Sequence, residues 1–365
     1  MKANILKQIL CISVLFVTGQ NMHVSAQYGV PKLHIRLSGN YVIGDITKEE
    51  KLTAIMRIEN ANGSTYKESN LYNGNILIKG RGNSSWTGTN KKSYSIDLIN
   101  NSGKKNETSL LDMGKDEDWI LNAFYFDKTL LRNYFTFYLM NKMGHWAPEG
   151  RFVELYLNDE YRGIYMLSEN IKKGSQRVNI KDIGNSGTSL TGGYLFEQDY
   201  PQRLKKEGAK YITSSRTYPG RYYQDTPTED YLYFGFKYPK DDNRTQQQTK
   251  YITDYIADFE GALYGSNFKD PTNGYRKYAD MQSFVDWYVI TELSIDWDHS
   301  YFLSSVFLHK QQGEKLKIGP IWDFDVAYKS SSGINSFVTR SNVPWINRMH
   351  EDENFKTRLH NDLLK

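Results

Sequence analysis

Cysteine is almost missing from this chain: 365 residues contain one, Cys11. Neither sign of charge is in excess, because 46 basic and 42 acidic residues leave a formal net charge of +4. Long hydrophobic runs are missing too. The longest, residues 9–17, is broken only by Ser13 and is too short to span a bilayer. Each absence excludes a class. One cysteine excludes a disulfide scaffold, and near-neutral charge gives no electrostatic case for nucleic acid. Short apolar runs exclude a multi-span membrane protein. A charged fraction of 24% beside 39% hydrophobic residues excludes a disordered chain or a coiled coil. Aromatics are abundant at 14%, and each ring buries a large area. The length suits one large core or two lobes.

The N-terminus reads as a secretory signal over residues 1–26. Lys2 and Lys7 form a basic start, residues 9–17 an apolar segment, and Val24-Ser25-Ala26 a small-residue cleavage site. A lipoprotein cysteine would lie at the cleavage point, whereas Cys11 sits inside the apolar run and leaves with the signal. The expected mature protein is exported, to the periplasm, the cell surface or the exterior. It has no thiol chemistry and no membrane span, so packing alone must stabilise it.

Strands come first along the mature chain. Residues 33–37, 54–58 and 75–79 alternate with period two. The third runs into Gly80-Arg81-Gly82-Asn83-Ser84-Ser85-Trp86 and then a further strand at 93–98. From 128 to 143 the spacing of Leu130, Leu131, Tyr134, Phe135, Tyr138 and Leu139 predicts a helix, with Gly144 as its stop. Strands at 152–157 and 163–167 flank an Asn158-Asp159 turn. Residues 170–192 and 200–230 read as surface loops. Helices are expected at 246–264, 281–293 and 345–364, and a closing strand pair at 306–309 and 316–321. Tyr134, Tyr138, Tyr156 and Trp322 sit at helical or alternating positions and are expected in the core. No internal repeat is present.

Three constellations could carry chemistry. The Gly/Ser segment 80–86, with Arg81, Asn83 and Ser84, precedes Lys91-Lys92. Glycines allow close backbone approach to phosphate, and the cations would neutralise it. The plain alternative is a hairpin with solvated lysines. Asp323-Phe324-Asp325 follows Pro320-Ile321-Trp322. In an extended segment both carboxylates face one way, as a magnesium ion requires, among apolar neighbours where unpaired acids are costly. The alternative is two aspartates that cap turns or pair with arginine. Asp296-Trp297-Asp298 offers loop acids as general base, against a local reading as an Asx turn. Paired acids and exposed aromatics also suit a glycosidase, but that reading leaves the Gly/Ser loop and lysines unexplained.

Taken in order, six segments resemble the spore coat protein H (CotH) kinase family. They are residues 79–86, Lys91-Lys92-Ser93-Tyr94, residues 127–133, residues 154–165, Gly192-Gly193-Tyr194-Leu195-Phe196-Glu197 and residues 319–325. The resemblance runs from about residue 30 to the C-terminus. It implies an α+β, two-lobed protein-kinase-like fold, strand-rich in the N-terminal lobe and helical in the C-terminal lobe. A strand region at 27–75 would precede a kinase-like domain at 76–365, its lobes meeting near 169. It implies transfer of the ATP γ-phosphate, with Mg²⁺ or Mn²⁺, to Ser or Thr of exported proteins. In that reading Lys92 and Arg81 hold phosphates with Asn83 and Ser84, and Glu169 lines the nucleotide pocket. Asp298 or Asp296 serves as base, and Asp323 with Asp325 binds metal. Four departures stand out, the first being Asp296, which stands where related sequences often carry Asn. Kinases carry Asn where Ser304-Ser305 stands, and the predicted helix has no Glu for Lys92, which leaves Glu154 or Glu197 for that task. The chain also stops within a helical pattern, as a truncated relative would. The alternative implied by these departures is a degenerate kinase fold that acts as a surface or glycan-associated scaffold.

Overall fold

The computed structural model describes residues 29–219, 229–328 and 337–363. The signal reading of residues 1–26 lies outside them. Seven strands close into a barrel: β1 (Lys32–Leu37), β2 (Leu52–Glu59), β3 (Asn73–Arg81), β4 (Ser93–Leu98), β5 (Asp118–Asn122), β6 (Gly150–Leu157) and β7 (Glu160–Glu169). Their order is β1-β2-β3-β4-β5-β7-β6, and β6 returns parallel to β1. Strict alternation in β1 to β4 puts Leu33, Ile35, Met56, Ile76, Ile78 and Ile96 inside, where they are fully buried. A closed sheet has no edge, so the barrel needs no partner to satisfy its strands. β1 and β2 belong to this same barrel although they precede residue 76.

β5 has no alternation to betray it. Trp119, Ile120, Leu121 and Asn122 are all buried, because Trp119 and Leu121 join the barrel interior while Ile120 joins the second core. The β6–β7 turn is Asn158-Asp159, with φ of 49° and 65°. That is the left-handed pair a two-residue hairpin requires. Asn158 Oδ1 also accepts the Leu37 N–H at 2.9 Å, which ties the turn to β1.

The second half carries the helices expected at 246–264 and 281–293, but it is not helical alone. Its centre is a five-stranded antiparallel sheet in the order β12-β11-β8-β10-β9. The strands are β8 (Tyr194–Gln198), β9 (Tyr211–Pro219), β10 (Glu229–Tyr238), β11 (Val306–Lys310) and β12 (Leu316–Ile318). Residues 200–230, read as surface loop, supply a short helix and the strand β9, and β10 begins at Glu229; β9 pairs along β10 through Tyr211, Thr213 and Thr217. The fold is mixed α+β, and the strand-rich N-terminal region expected closes into a seven-stranded barrel.

The helices are α1 (Ser84–Gly88), α2 (Arg132–Lys142), α3 (Pro201–Lys206), α4 (Gln246–Tyr264), α5 (Met281–Ser294), α6 (Val338–Asn342), α7 (Pro344–Met349) and α8 (Glu353–Leu363). Thr245 and Gln248 form a capping box that starts α4, and Asp280 accepts the Ser283 N–H to start α5. The single helix expected after 345 is two. Asp352 in the break accepts the Asn354 N–H and the Tyr275 hydroxyl. No described helix is long and apolar enough to cross a membrane.

α2 inverts its predicted face. Leu131, Tyr134, Phe135 and Tyr138 are exposed, while Asn133, Thr136, Phe137 and Met140 are buried. The buried face carries polar groups because it supports the acidic turn described next. Tyr134 and Tyr138 are therefore not core residues, whereas Trp322 is buried.

Candidate active site

The acidic residues come from two connections of the second half. α5 ends at Ser294, and Ile295 takes the left-handed conformation at φ 51°. A turn of π-helix over Asp298–Phe302 follows, then Leu303 at φ 51° and Ser305 at φ 57°. Past β12, Asp323 has φ 68°. Left-handed backbone is unfavourable for side-chain-bearing residues, most of all for branched Ile, and such residues gather at functional sites. Asp323 and Asp325 are thus on a turn beyond β12 and not on an extended strand as expected.

Asp296 and Asp298, equal candidates in the sequence, have different surroundings. Asp296 is buried and fully used. Oδ1 accepts the Asp298 N–H at 2.9 Å, and Oδ2 lies 2.6 Å from His299 Nδ1. Burial opposes charge on His299, but the Asp296 carboxylate outweighs it and raises the imidazole pKa. The His299 ring stacks on Phe324 with centroids 4.6 Å apart, so the loop and the 323–325 turn are held together. Among the described residues the Asp298 carboxylate accepts no hydrogen bond. Burial, then the Asp323 and Asp296 charges, push its pKa up to about 6.

Asp325 is more strongly perturbed. Burial comes first, then Asp323, Asp298 and Asp127, and together they push it up to about 8. α2 braces this turn with its polar face. Asn133 Oδ1 accepts the Phe324 N–H at 2.8 Å, Arg132 Nη1 donates to the Asp325 carbonyl at 3.1 Å, and Thr136 Oγ1 lies 2.9 Å from the Tyr328 hydroxyl.

The barrel contributes the opposing charge. Arg81, the last residue of β3, lays its guanidinium over Trp322 at 4.8 Å. Burial lowers its pKa from the ordinary value, with Asp323 and Glu197 acting in the opposite direction. Among the described residues the Arg81 side chain donates no hydrogen bond, so its donors are uncommitted. Lys92 is placed otherwise: Nζ donates to the Trp86 carbonyl and lies 5.3 Å from the Trp86 ring. Lys91 Nζ donates to the Ala123 and Ile164 carbonyls at 2.9 and 2.6 Å.

The Gly/Ser segment folds as α1, with Asn83 as its N-cap. A side chain at Gly80 would collide with the Trp86 ring, and Gly82 has φ 102°. These glycines therefore serve the local turn. Asn83 Oδ1 accepts from Lys48 Nζ at 3.1 Å, and Ser84 is exposed. Glu169 sits at the barrel rim, with Oε1 2.6 Å from Arg177 Nη1 and Oε2 accepting the Glu149 N–H at 3.0 Å. Burial leads in raising it to about 7 against the Arg177 charge. The structure thus brings together Arg81, Asp298, Asp323 and Asp325. It gives Lys92 and Glu169 partners of their own.

A second group lies beside Asp323; of its members the sequence reading named only Glu197, as a partner for Lys92, whereas Glu197 pairs with Arg203 and Lys237. Asp199 and Glu197 at the end of β8 meet Arg203 of α3, with Nη1 2.5 Å from Asp199 Oδ2 and Nη2 3.5 Å from Glu197 Oε1. The Glu197-x-Asp199 spacing repeats that of Asp323-x-Asp325 and was the available signal.

A family model, CotH kinase protein, matches residues 78–365. The chain belongs to the CotH family. The match covers the barrel from the second half of β3 onward and the whole of the acidic site, so this CotH chain is kinase-like. No curated protein matches its sequence.

The donor set can be tested against a divalent cation. Among the described residues no three His, Cys, Asp or Glu side chains converge to hold a metal by themselves. Magnesium commonly takes one or two protein carboxylates and fills its shell with phosphate oxygens and water. Asp323 and Asp325 meet that requirement. The raised pKa of Asp325 marks a buried acid cluster that a cation would relieve.

Proposed function

We propose that this CotH chain is an exported ATP-dependent kinase that phosphorylates Ser or Thr of secreted or surface proteins. The observation that carries the reading is the meeting of Asp298, Asp323 and Asp325 from two distant connections, faced by an uncommitted Arg81 from the barrel. Phosphoryl transfer is mostly positioning and charge stabilisation, so a few fixed groups suffice. Asp323 and Asp325 hold the Mg²⁺ or Mn²⁺, which when bound neutralises charge on the transferring phosphate. Arg81 donates to phosphate oxygens, with its plane held by Trp322. Asp298 accepts the proton of the acceptor hydroxyl, and a pKa near 6 leaves it ionised at neutral pH. Asp296 acts through hydrogen bonds that set the Asp298 backbone and the His299 ring. Export rests on residues 1–26.

The deciding experiment is transfer of labelled phosphate from ATP to a Ser-rich acceptor, with Mg²⁺ or Mn²⁺. Transfer is expected, and Asp323→Ala should abolish it while thermal melting stays cooperative. Transfer that survives Asp323→Ala unchanged would overturn the reading. A second reading, a kinase-fold scaffold of the cell surface, draws on the engagement of Lys92 with Trp86. It requires that the mature protein transfer no phosphate even where nucleotide raises its melting temperature.

A further inference from the structure

One cation beside the site has no part in the chemistry above. Arg203 reaches from α3 to the start of β11. Nη1 lies 2.5 Å from Asp199 Oδ2 and donates to Ser304 Oγ at 3.2 Å and Ser305 Oγ at 3.1 Å. Nη2 faces Glu197 at 3.5 Å and Nε faces Glu207 at 3.2 Å. Lys237 pairs with the second oxygen of Glu197. The cluster continues to the metal side. Asp199 Oδ2 accepts the Ser305 N–H at 3.2 Å, and Ser305 Oγ lies 3.4 Å from Asp323 Oδ2. The guanidinium is therefore one hydroxyl away from the carboxylate assigned to the metal.

A second divalent ion on this side of Asp323 would need hard oxygen ligands. The oxygens within reach are the Asp199 carboxylate and the hydroxyls of Ser304 and Ser305, and Arg203 already engages all three. The side chain is mostly buried at 20% exposure. Burial disfavours its charge, but Glu197 and Asp199, with Asp323 contributing, hold it well above its ordinary pKa. A guanidinium cannot be deprotonated here, and its fixed fork fits several oxygens at once. It supplies permanently the positive charge that a second ion would bring from solution.

We propose that Arg203 is the built-in second cation of this site, so that the protein takes one Mg²⁺ or Mn²⁺ with each nucleotide. The inference rests on the kinase reading above. Arg203 does not touch the substrate in this account. It acts through Ser305 on Asp323 and is a positioning residue.

The test counts Mn²⁺ per chain by electron paramagnetic resonance at saturating non-hydrolysable ATP analogue, against a protein-free nucleotide reference. One bound ion is expected for the unaltered protein. Arg203→Gln removes the charge at similar length and frees Asp199 and Ser305. Its count is expected to rise to two, while Arg203→Lys keeps one. Two ions on the unaltered protein would overturn this inference and leave the kinase reading standing. A count of one on a cooperatively melting Arg203→Gln would also overturn it. If that variant does not fold, the count on the unaltered protein still decides. No bound ion, and no nucleotide-dependent rise in melting temperature, would overturn the kinase reading and this inference together.

Discussion

The barrel and the second half divide the work unequally. The barrel is regular: alternating strands, its own core and no edge. It sends the uncommitted cation Arg81 toward the other half. The second half holds the acids, on connections where Ile295, Leu303, Ser305 and Asp323 take left-handed backbone. Regular structure here makes a platform, and irregular structure beside it makes the site. The strain is tolerable because buried bonds over-determine it: Asn133 to Phe324, Asp296 to His299, and Arg203 to Asp199.

The comparison breaks most readily at the two aspartates of the loop after α5, Asp296 and Asp298. Asp298→Asn should lower transfer by about 10³-fold with little change in melting, the loss expected of a general base. The transfer rate should rise as pH climbs through about 6, at or below that value with a cation bound, because the carboxylate is the active form. That limb should vanish in the variant. Asp296→Asn should act differently, through lost stability of about 1–3 kcal/mol from the unpaired His299 and backbone amides, measured by denaturant unfolding. Equal effects of both substitutions on rate at unchanged stability would erase the distinction.

The two cations of the barrel offer the next test. Arg81→Met should cost about 10²-fold in transfer, as for a group that stabilises transition-state charge. Lys92→Met should cost less than tenfold, because Lys92 is spent on Trp86. The reverse order would put Lys92 on the phosphates. A smaller effect follows from the barrel core. Ile78→Val should destabilise by about 1 kcal/mol and leave kcat unchanged, since Ile78 is fully buried and away from the acids. The smallest belongs to α2: Tyr138→Ser should shift stability by less than about 0.5 kcal/mol, because that ring is half exposed. A large loss there would show that the exposed stripe is covered.

Much of the barrel was legible because period-two alternation survives where one face is buried and the other wet. β5 escaped because it is buried on both faces, and β9 and β10 escaped because Lys, Gly and Pro around them read as loop. α2 misled for a related reason. Its spacing gave a helix correctly, but Tyr134 and Tyr138 were assigned to the core, while the buried side joins Phe137 and Met140 to the polar Asn133 and Thr136 that brace the acidic turn. The Asp323-x-Asp325 pair was legible as a site. Its extended geometry was not, since β12 ends at Ile318 and the backbone then turns. Strand alternation favoured Lys92 over Lys91, but both precede the first residue of β4, and each donates to backbone carbonyls of its own.

By itself the sequence determined the strand periodicity, the helix caps, the turn at Asn158-Asp159 and which acids come in pairs. Those are local properties, set by side-chain spacing and by the conformations each residue type tolerates. Only the tertiary structure decided that the strands close into a barrel, with β6 returning beside β1, and that Arg81 and Arg203 come near Asp323. These depend on charges and rings from segments more than a hundred residues apart. Burial multiplies the electrostatic consequence of such meetings, and no local pattern records them.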